Sequence, residues 1–293
     1  MGNTLRGDEA PQRIIQTVSI IGVAIMLFIL FFLVKESVPI LKEVSIFQLL
    51  FGMEWYPTYD PPDYGMFPLI VGSLSVTLAA SILAVPLSIM LAVFISEICP
   101  RKLKELLKPV IEILGFFPSV VLGFIGMVVL APWMIQHLEA YSGLNLLNAA
   151  SLMGIMIIPT VTSLAEDSLA SIPKDLKDAS YALGATRLET ITKVVLPAAL
   201  PGILQAVLLG VMRAIGETMV VLMAAGGAAI IPLSLTDPVR PLTSTIASEM
   251  GETPVGSIHY HALFFAGLLL LLLTLGLNLL AMFIERRARR LRA

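Results

Sequence analysis

The segment VLLGVMRAIGETMVVLMAAG, Val207–Gly226, sets an arginine and a glutamate four residues apart in an apolar run. From Val194 to Ile231 nothing else is charged. A continuous helix through this run puts Arg213 and Glu217 on one face, within reach of each other. An ionised side chain at membrane depth faces a protein interior or a water-filled cavity and marks a functional site by default. Guanidinium offers planar, forked donors that match the oxygens of an oxyanion, and it stays charged at any working pH. Glu217 is expected to neutralise and orient Arg213. Thr218 adds a hydroxyl, offset around the helix. Gly210 and Ala214 leave room beside the pair. The competing expectation is a structural ion pair that pins this helix to its neighbours.

The rest of the chain supplies the membrane. Hydrophobic residues make up 57% and charged residues 14% of the 293, where soluble domains carry about a quarter charged. Charge-free runs of spanning length occur at 14–34, 66–96, 113–136, 140–165 and 262–284. The run from Val194 is the sixth. The expected fold is therefore an all-α membrane protein with six transmembrane helices, both termini on one side. The tails, the loop after the second span and the loop after the fourth hold 15 of the 19 basic residues; the opposite loops hold 3. That bias predicts cytoplasmic termini. The domains follow: a cytoplasmic tail at 1–13, a six-helix domain at 14–285, and a basic cytoplasmic tail at 286–293. External loops are expected at 35–65, 132–148 and 226–261, and a cytoplasmic loop at 166–197. The first run is too long for a signal peptide and lacks a small-residue cleavage site. A net charge of −2 gives no reason to expect a nucleic-acid partner. Cys99, the single cysteine, excludes an internal disulfide. His259 and His261 have no third ligand nearby in sequence, so no metal site is expected and hydrogen bonding at the interface is. Pro118 and the glycines at 115, 123 and 126 predict close packing or a break in the third span.

The cytoplasmic loop reads SIPKDLKDASYALGATRLETITKVVLPAALPG. Pro173 suits a first helical turn, with Ser171 or Ile172 at the cap. Gly184 ends that helix, and Thr186 with Glu189 forms a capping box for the next. Pro197 and Pro201 mark entry to the fifth span. This pattern resembles the coupling motif of ABC importer permeases, E-A-A-x3-G-x9-I-x-L-P. Asp178, Ala179 and Ser180 stand at the first three positions, then Gly184, then Val194, Leu196 and Pro197. Asp, Ser and Val replace Glu, Ala and Ile. The resemblance implies that the first short helix docks on a cytoplasmic ATPase. The chain has no phosphate-cradling G-x4-G-K-[ST] loop, and Gly-Lys never occurs. If transport runs on ATP, as the resemblance implies, ATP and magnesium belong to a partner, and the chain is expected to be no enzyme and to hold no cofactor.

A narrower resemblance follows. RAIGETM is similar to the R-A-x-G-E-T signature of phosphate importer permeases. EWYPTYDPPDYGMFPLIVGSLSVT resembles the pattern of their PstC-type subunits. That family implies type I importer topology in a bacterial cell membrane and alternating access driven by ATP. It also implies a PstA-type permease partner, two PstB-type ATPase subunits and an external PstS-type phosphate-binding protein. The alternatives are a permease for another oxyanion or small solute, an ATP-independent channel or secondary transporter, and, remotely, a membrane-embedded enzyme.

Overall fold

The computed structural model describes residues 9–290; residues 1–8 and 291–293 of the expected tails lie outside the described residues. The chain opens with helices α1 (Glu9–Ser37), α2 (Ile40–Glu43) and α3 (Ile46–Phe51), then the antiparallel strands β1 (Trp55–Tyr56) and β2 (Asp63–Tyr64). Next come α4 (Phe67–Val93), which ends in a π-helical turn at Phe94–Ile98, and α5 (Arg101–Leu114). α6 (Ser119–Ile125) runs through a second π turn into α7 (Ala131–Leu138), and α8 (Leu146–Ala170) follows. α9 (Lys174–Ala182) and α10 (Arg187–Thr190) lead through a third π turn into α11 (Leu196–Ile215). α12 (Met219–Ala224), α13 (Leu242–Glu249) and α14 (Ile258–Arg290) complete the chain.

Among the described residues, six stretches are long and apolar enough to cross a membrane: Ile14–Glu43, Phe67–Ile98, Ser119–Leu138, Leu146–Ala170, Arg187–Ile215 and Ile258–Leu280. α8 is the central one. It is 67% buried over its most apolar stretch, against at most 28% for the other spans. α4 and α11 pack on it, and α1 packs with α14 on the outside. Apolar side chains gain little by leaving lipid for protein, so close approach of backbones has to hold such helices together. The sequence provides it with small residues. Gly154 of α8 lies against Ala80 and Ala84 of α4, and Gly210 of α11 has no room for a Cβ beside Val161 and Ile157. α1 exposes apolar side chains all round, as a helix bathed in lipid does.

A second cluster sits at the opposite end from α9, around Ile40, Leu49, Trp55, Tyr64, Met66, Leu242 and Leu263. The 35–65 loop is thus an ordered cap. Trp55 is 2% exposed and pairs with Tyr64 across the hairpin. The Trp55 indole donates to both carboxylate oxygens of Glu249 at 3.2 Å. Arg240 and His259 close on the same carboxylate at 2.9 and 2.8 Å. His261 bonds the Glu36 carbonyl at 2.8 Å. Both histidines therefore have the hydrogen-bonding role expected of them.

Four expectations change. The third span starts at Ser119, since Gly115–Phe117 is not helical and Pro118 stands at the N-cap. Proline disfavours a helical residue before it, so the 113–136 run is cut near its start. Residues 101–114 become a separate amphipathic helix. The fifth span ends at Ile215, capped by Gly216, and the rest of the run to Ile231 holds only the short α12. The 166–197 loop holds the two expected short helices but is shorter than its expected bounds. Glu166–Ala170 completes α8, and Arg187 onwards is continuous with α11. Pro173 takes the N-cap position itself, one residue later than expected.

Candidate substrate pathway and coupling surface

The two breaks meet. Arg213 lies in the last turn of α11, where the helix dipole favours a cation. Its guanidinium reaches back across α8 to the first break. Nη1 donates to Thr160 Oγ1 at 3.2 Å and Nη2 to the Gly115 carbonyl at 3.0 Å. Gly115 is free to accept because the α5 helix stops there, and its Cα packs against Pro159 of α8. A cavity of about 150 Å³ opens at this point, lined by Glu112, Gly115, Phe116, Pro159, Thr160, Ser163 and Arg213. It contains a cation, hydroxyls and a helix break at the depth of a spanning segment.

Glu217 is not in that cavity. Because α11 ends at Ile215, Glu217 is not one helical turn from Arg213, and no ion pair joins them among the described residues. Its Oε1 instead accepts from the backbone N–H groups of Met219 and Val220, at 3.0 and 3.2 Å, holding the start of α12. Thr243 donates to the Glu217 carbonyl at 2.8 Å, which ties this break to α13. Thr218 turns inward on its own loop, donating to the Gly216 carbonyl at 3.4 Å. Of the three residues the sequence singled out, the structure puts Arg213 at the cavity and gives Glu217 and Thr218 to the backbone beside it. Gly115 was expected only as a close-packing or break position, and Thr160, Ser163 and Glu112 were missed. Their only signal was Pro118, which marks the break after α5; Pro159 lies inside the continuous α8.

At the end opposite the hairpin, α9 and α10 form the helical pair expected from the capping residues. Thr186 and Glu189 make the full capping box. Gly184 has φ +83°, which a residue with a Cβ adopts only under strain. Asp178 and Ala179 are exposed, while Ser180 is buried against Thr190 with hydroxyls 3.0 Å apart. Val194, Leu196 and Pro197 are half-buried where the third π turn enters α11. The loop exposes apolar side chains that the sequence reading passed over: Leu183 is 90% and Leu188 70% exposed. The pair is bolted to the membrane helices. Lys177 contacts the Glu97 carboxylate at 2.7 Å, and the Arg187 guanidinium donates to the Glu97 carbonyl. A second clasp joins α5 to α8. Glu166 is 2% exposed and bonded to Lys104 at 2.5 Å and Lys108 at 2.8 Å. Lys108 also meets Asp167 at 2.6 Å. Its hydrogen bonds to Asp167, then Glu166, raise its pKa above the usual lysine range, so it stays charged.

Comparison with known proteins matches this architecture. Residues 84–290 fit the family described as "Binding-protein-dependent transport system inner membrane component". The chain belongs to that family. As such a component it is a permease subunit and a multi-pass membrane protein. It is 40% identical over 283 residues to a probable ABC transporter permease protein, YqgH, of Bacillus subtilis, covering 96% of this chain and 92% of the relative. It is 34% identical over 247 residues to the phosphate transport system permease protein PstC of Mesorhizobium japonicum, covering 78% and 75%. Solved structures share the fold at low identity. A bacterial alginate ABC transporter chain aligns with TM-score 0.67 and 15% identity over 97% of both chains. A chain of the inward-facing MetNI methionine ABC transporter aligns with TM-score 0.58 and 21% identity over 74% of this chain and 93% of that one. The permease fold is therefore that of an ABC importer transmembrane domain.

Proposed function

We infer that this permease subunit carries inorganic phosphate across a bacterial cell membrane, as the PstC-type half of an ATP-driven importer. One observation carries the substrate: Arg213 sits at membrane depth with no carboxylate of this chain paired to it among the described residues, and it faces a cavity. An unpaired cation there asks for an anion, and forked guanidinium donors match a tetrahedral oxyanion. The relatives named as phosphate transport permeases support the same substrate. A PstA-type permease would complete the pathway. Two PstB-type ATPases, holding ATP and magnesium, would dock on α9 and the exposed Leu183. A PstS-type protein would deliver phosphate at the hairpin end, and on this reading both termini would lie in the cytoplasm. Closure of the ATPases would pull α9, and through Lys177 and Glu97 the end of α4 and its π turn, so that the spans rock around the Arg213 cavity.

Reconstitution tests this. The complex of this chain with such partners, in vesicles with the binding protein and ATP added on the appropriate sides, should accumulate radiolabelled phosphate. Accumulation of another solute but not phosphate, or uptake that proceeds without ATP, would reject it.

A further inference from the structure

Among the described residues, Glu112 is the one acidic residue lining the Arg213 cavity, and it is exposed. It stands one turn before the break, and the Gly115 N–H donates to its backbone carbonyl at 3.0 Å. Its carboxylate has no hydrogen bond or ion pair among the described residues. A carboxylate is a poor neighbour for a fully ionised anion, because the two charges repel with nothing between them. It is a good neighbour for an anion that still carries a proton.

The donors and acceptors of the cavity divide accordingly. Arg213 supplies charged N–H groups beyond the two already bonded to Thr160 and Gly115. Thr160 accepts from Arg213, so its own O–H is available to donate. The Ser163 hydroxyl has no partner among the described residues. Those groups fit the unprotonated oxygens of a tetrahedral ligand. Glu112 and the second lone pair of Gly115 are acceptors, and they need a donor on the ligand.

We propose that Glu112 is the selectivity residue of this cavity: it accepts a hydrogen bond from the ligand's own hydroxyl, admitting a protonated tetrahedral oxyanion and refusing one with no proton. The role rests on the transport function inferred above. Inorganic phosphate keeps at least one proton near neutral pH; sulfate keeps none. An O–H donating to a carboxylate is among the short, strong hydrogen bonds, whereas sulfate leaves Glu112 unpaired and repelled. Glu112 also lines the neighbouring depression formed by Arg101, Lys104 and Lys108, so an anion leaving the cavity along α5 passes the same carboxylate. Discrimination thus operates inside the membrane, after any external delivery.

The test is equilibrium retention of radiolabelled inorganic phosphate by the purified permease–ATPase complex with the binding protein omitted. Unlabelled sulfate and arsenate compete. In the unaltered complex arsenate, which is also protonated, should displace phosphate well, and sulfate at least about 100-fold more weakly. Glu112→Gln keeps the shape and adds a donor, so it should narrow the sulfate gap by about tenfold or more and leave arsenate unchanged. Glu112→Asp keeps the carboxylate and should still exclude sulfate. Equal sulfate exclusion in Glu112→Gln and the unaltered complex overturns the role of Glu112. So does relaxed exclusion in Glu112→Asp matching that in Glu112→Gln. Arg213→Gln separates the two claims. If it abolishes retention while Glu112→Gln changes nothing, the cavity stands and this inference falls. If Arg213→Gln retains phosphate normally, or the unaltered complex retains none, the cavity itself is not the site and both fall.

Discussion

At the scale of single residues, Arg213 and Glu217 have separate jobs, and that separation makes their variants distinguishable. Arg213→Lys keeps the charge but cannot reach Thr160 and Gly115 with a fork, so little uptake should remain. Glu217→Gln retains an acceptor oxygen for the Met219 and Val220 amides and should transport better than any Arg213 variant. Glu217→Ala removes that cap and should destabilise the α12 start by about 1 kcal/mol. Uptake rates set beside complex recovery for the three variants decide this. A Glu217→Gln protein as inactive as Arg213→Lys would return Glu217 to the pathway. Arg213 and Glu217 were legible in the sequence, because two charges in an apolar run stand out. Their geometry was not. Gly216 reads as tolerable within a helix, and only the tertiary packing shows that the helix stops there.

Among the elements, the breaks matter more than the spans. Hydropathy located the six spans because membrane length demands long apolar runs. It could not locate the break at 115–118, since Gly115, Phe116 and Phe117 are as apolar as the helix they interrupt. Nor could it pick out Thr160 and Ser163, whose hydroxyls belong to the site only because α11 lies against α8. The two short helices of the α9–α10 loop, with the turn at Gly184 and the Thr186–Glu189 capping box, were legible because caps and turns are local chemistry; the N-cap at Pro173 was not. Gly184→Val should strain the turn by about 1–3 kcal/mol. ATP-driven uptake should be lost while the purified subunit still assembles; normal uptake would remove coupling from this loop. The α5–α8 clasp gives a contrasting outcome. Lys104→Met with Lys108→Met leaves Glu166 buried without a cation and should destabilise by about 3–5 kcal/mol. Adding Glu166→Leu should recover most of that loss. Melting of the purified variants reads it, and an unchanged double variant would contradict it.

For the whole molecule, orientation and pathway are one question, since an importer must present its coupling pair to ATP. Single cysteines at Tyr141 and Lys102, both exposed, report the sides in a Cys99→Ser background. An impermeant thiol reagent outside intact cells should label Tyr141→Cys and spare Lys102→Cys; the reverse pattern inverts the topology. The two ends of the fold are built differently. The hairpin cap is locked by Glu249 at one end, the coupling pair is bolted to Glu97 at the other, and Arg213 lies between two helix breaks. The central claim is that the anion passes Arg213. Its most direct measurement is radiolabelled phosphate uptake by the reconstituted Arg213→Gln complex, normalised to the amount of complex recovered. Uptake lost at normal recovery is the predicted result. Normal uptake would contradict the pathway, and a complex that falls apart would make Arg213 a structural tie between α11 and α8.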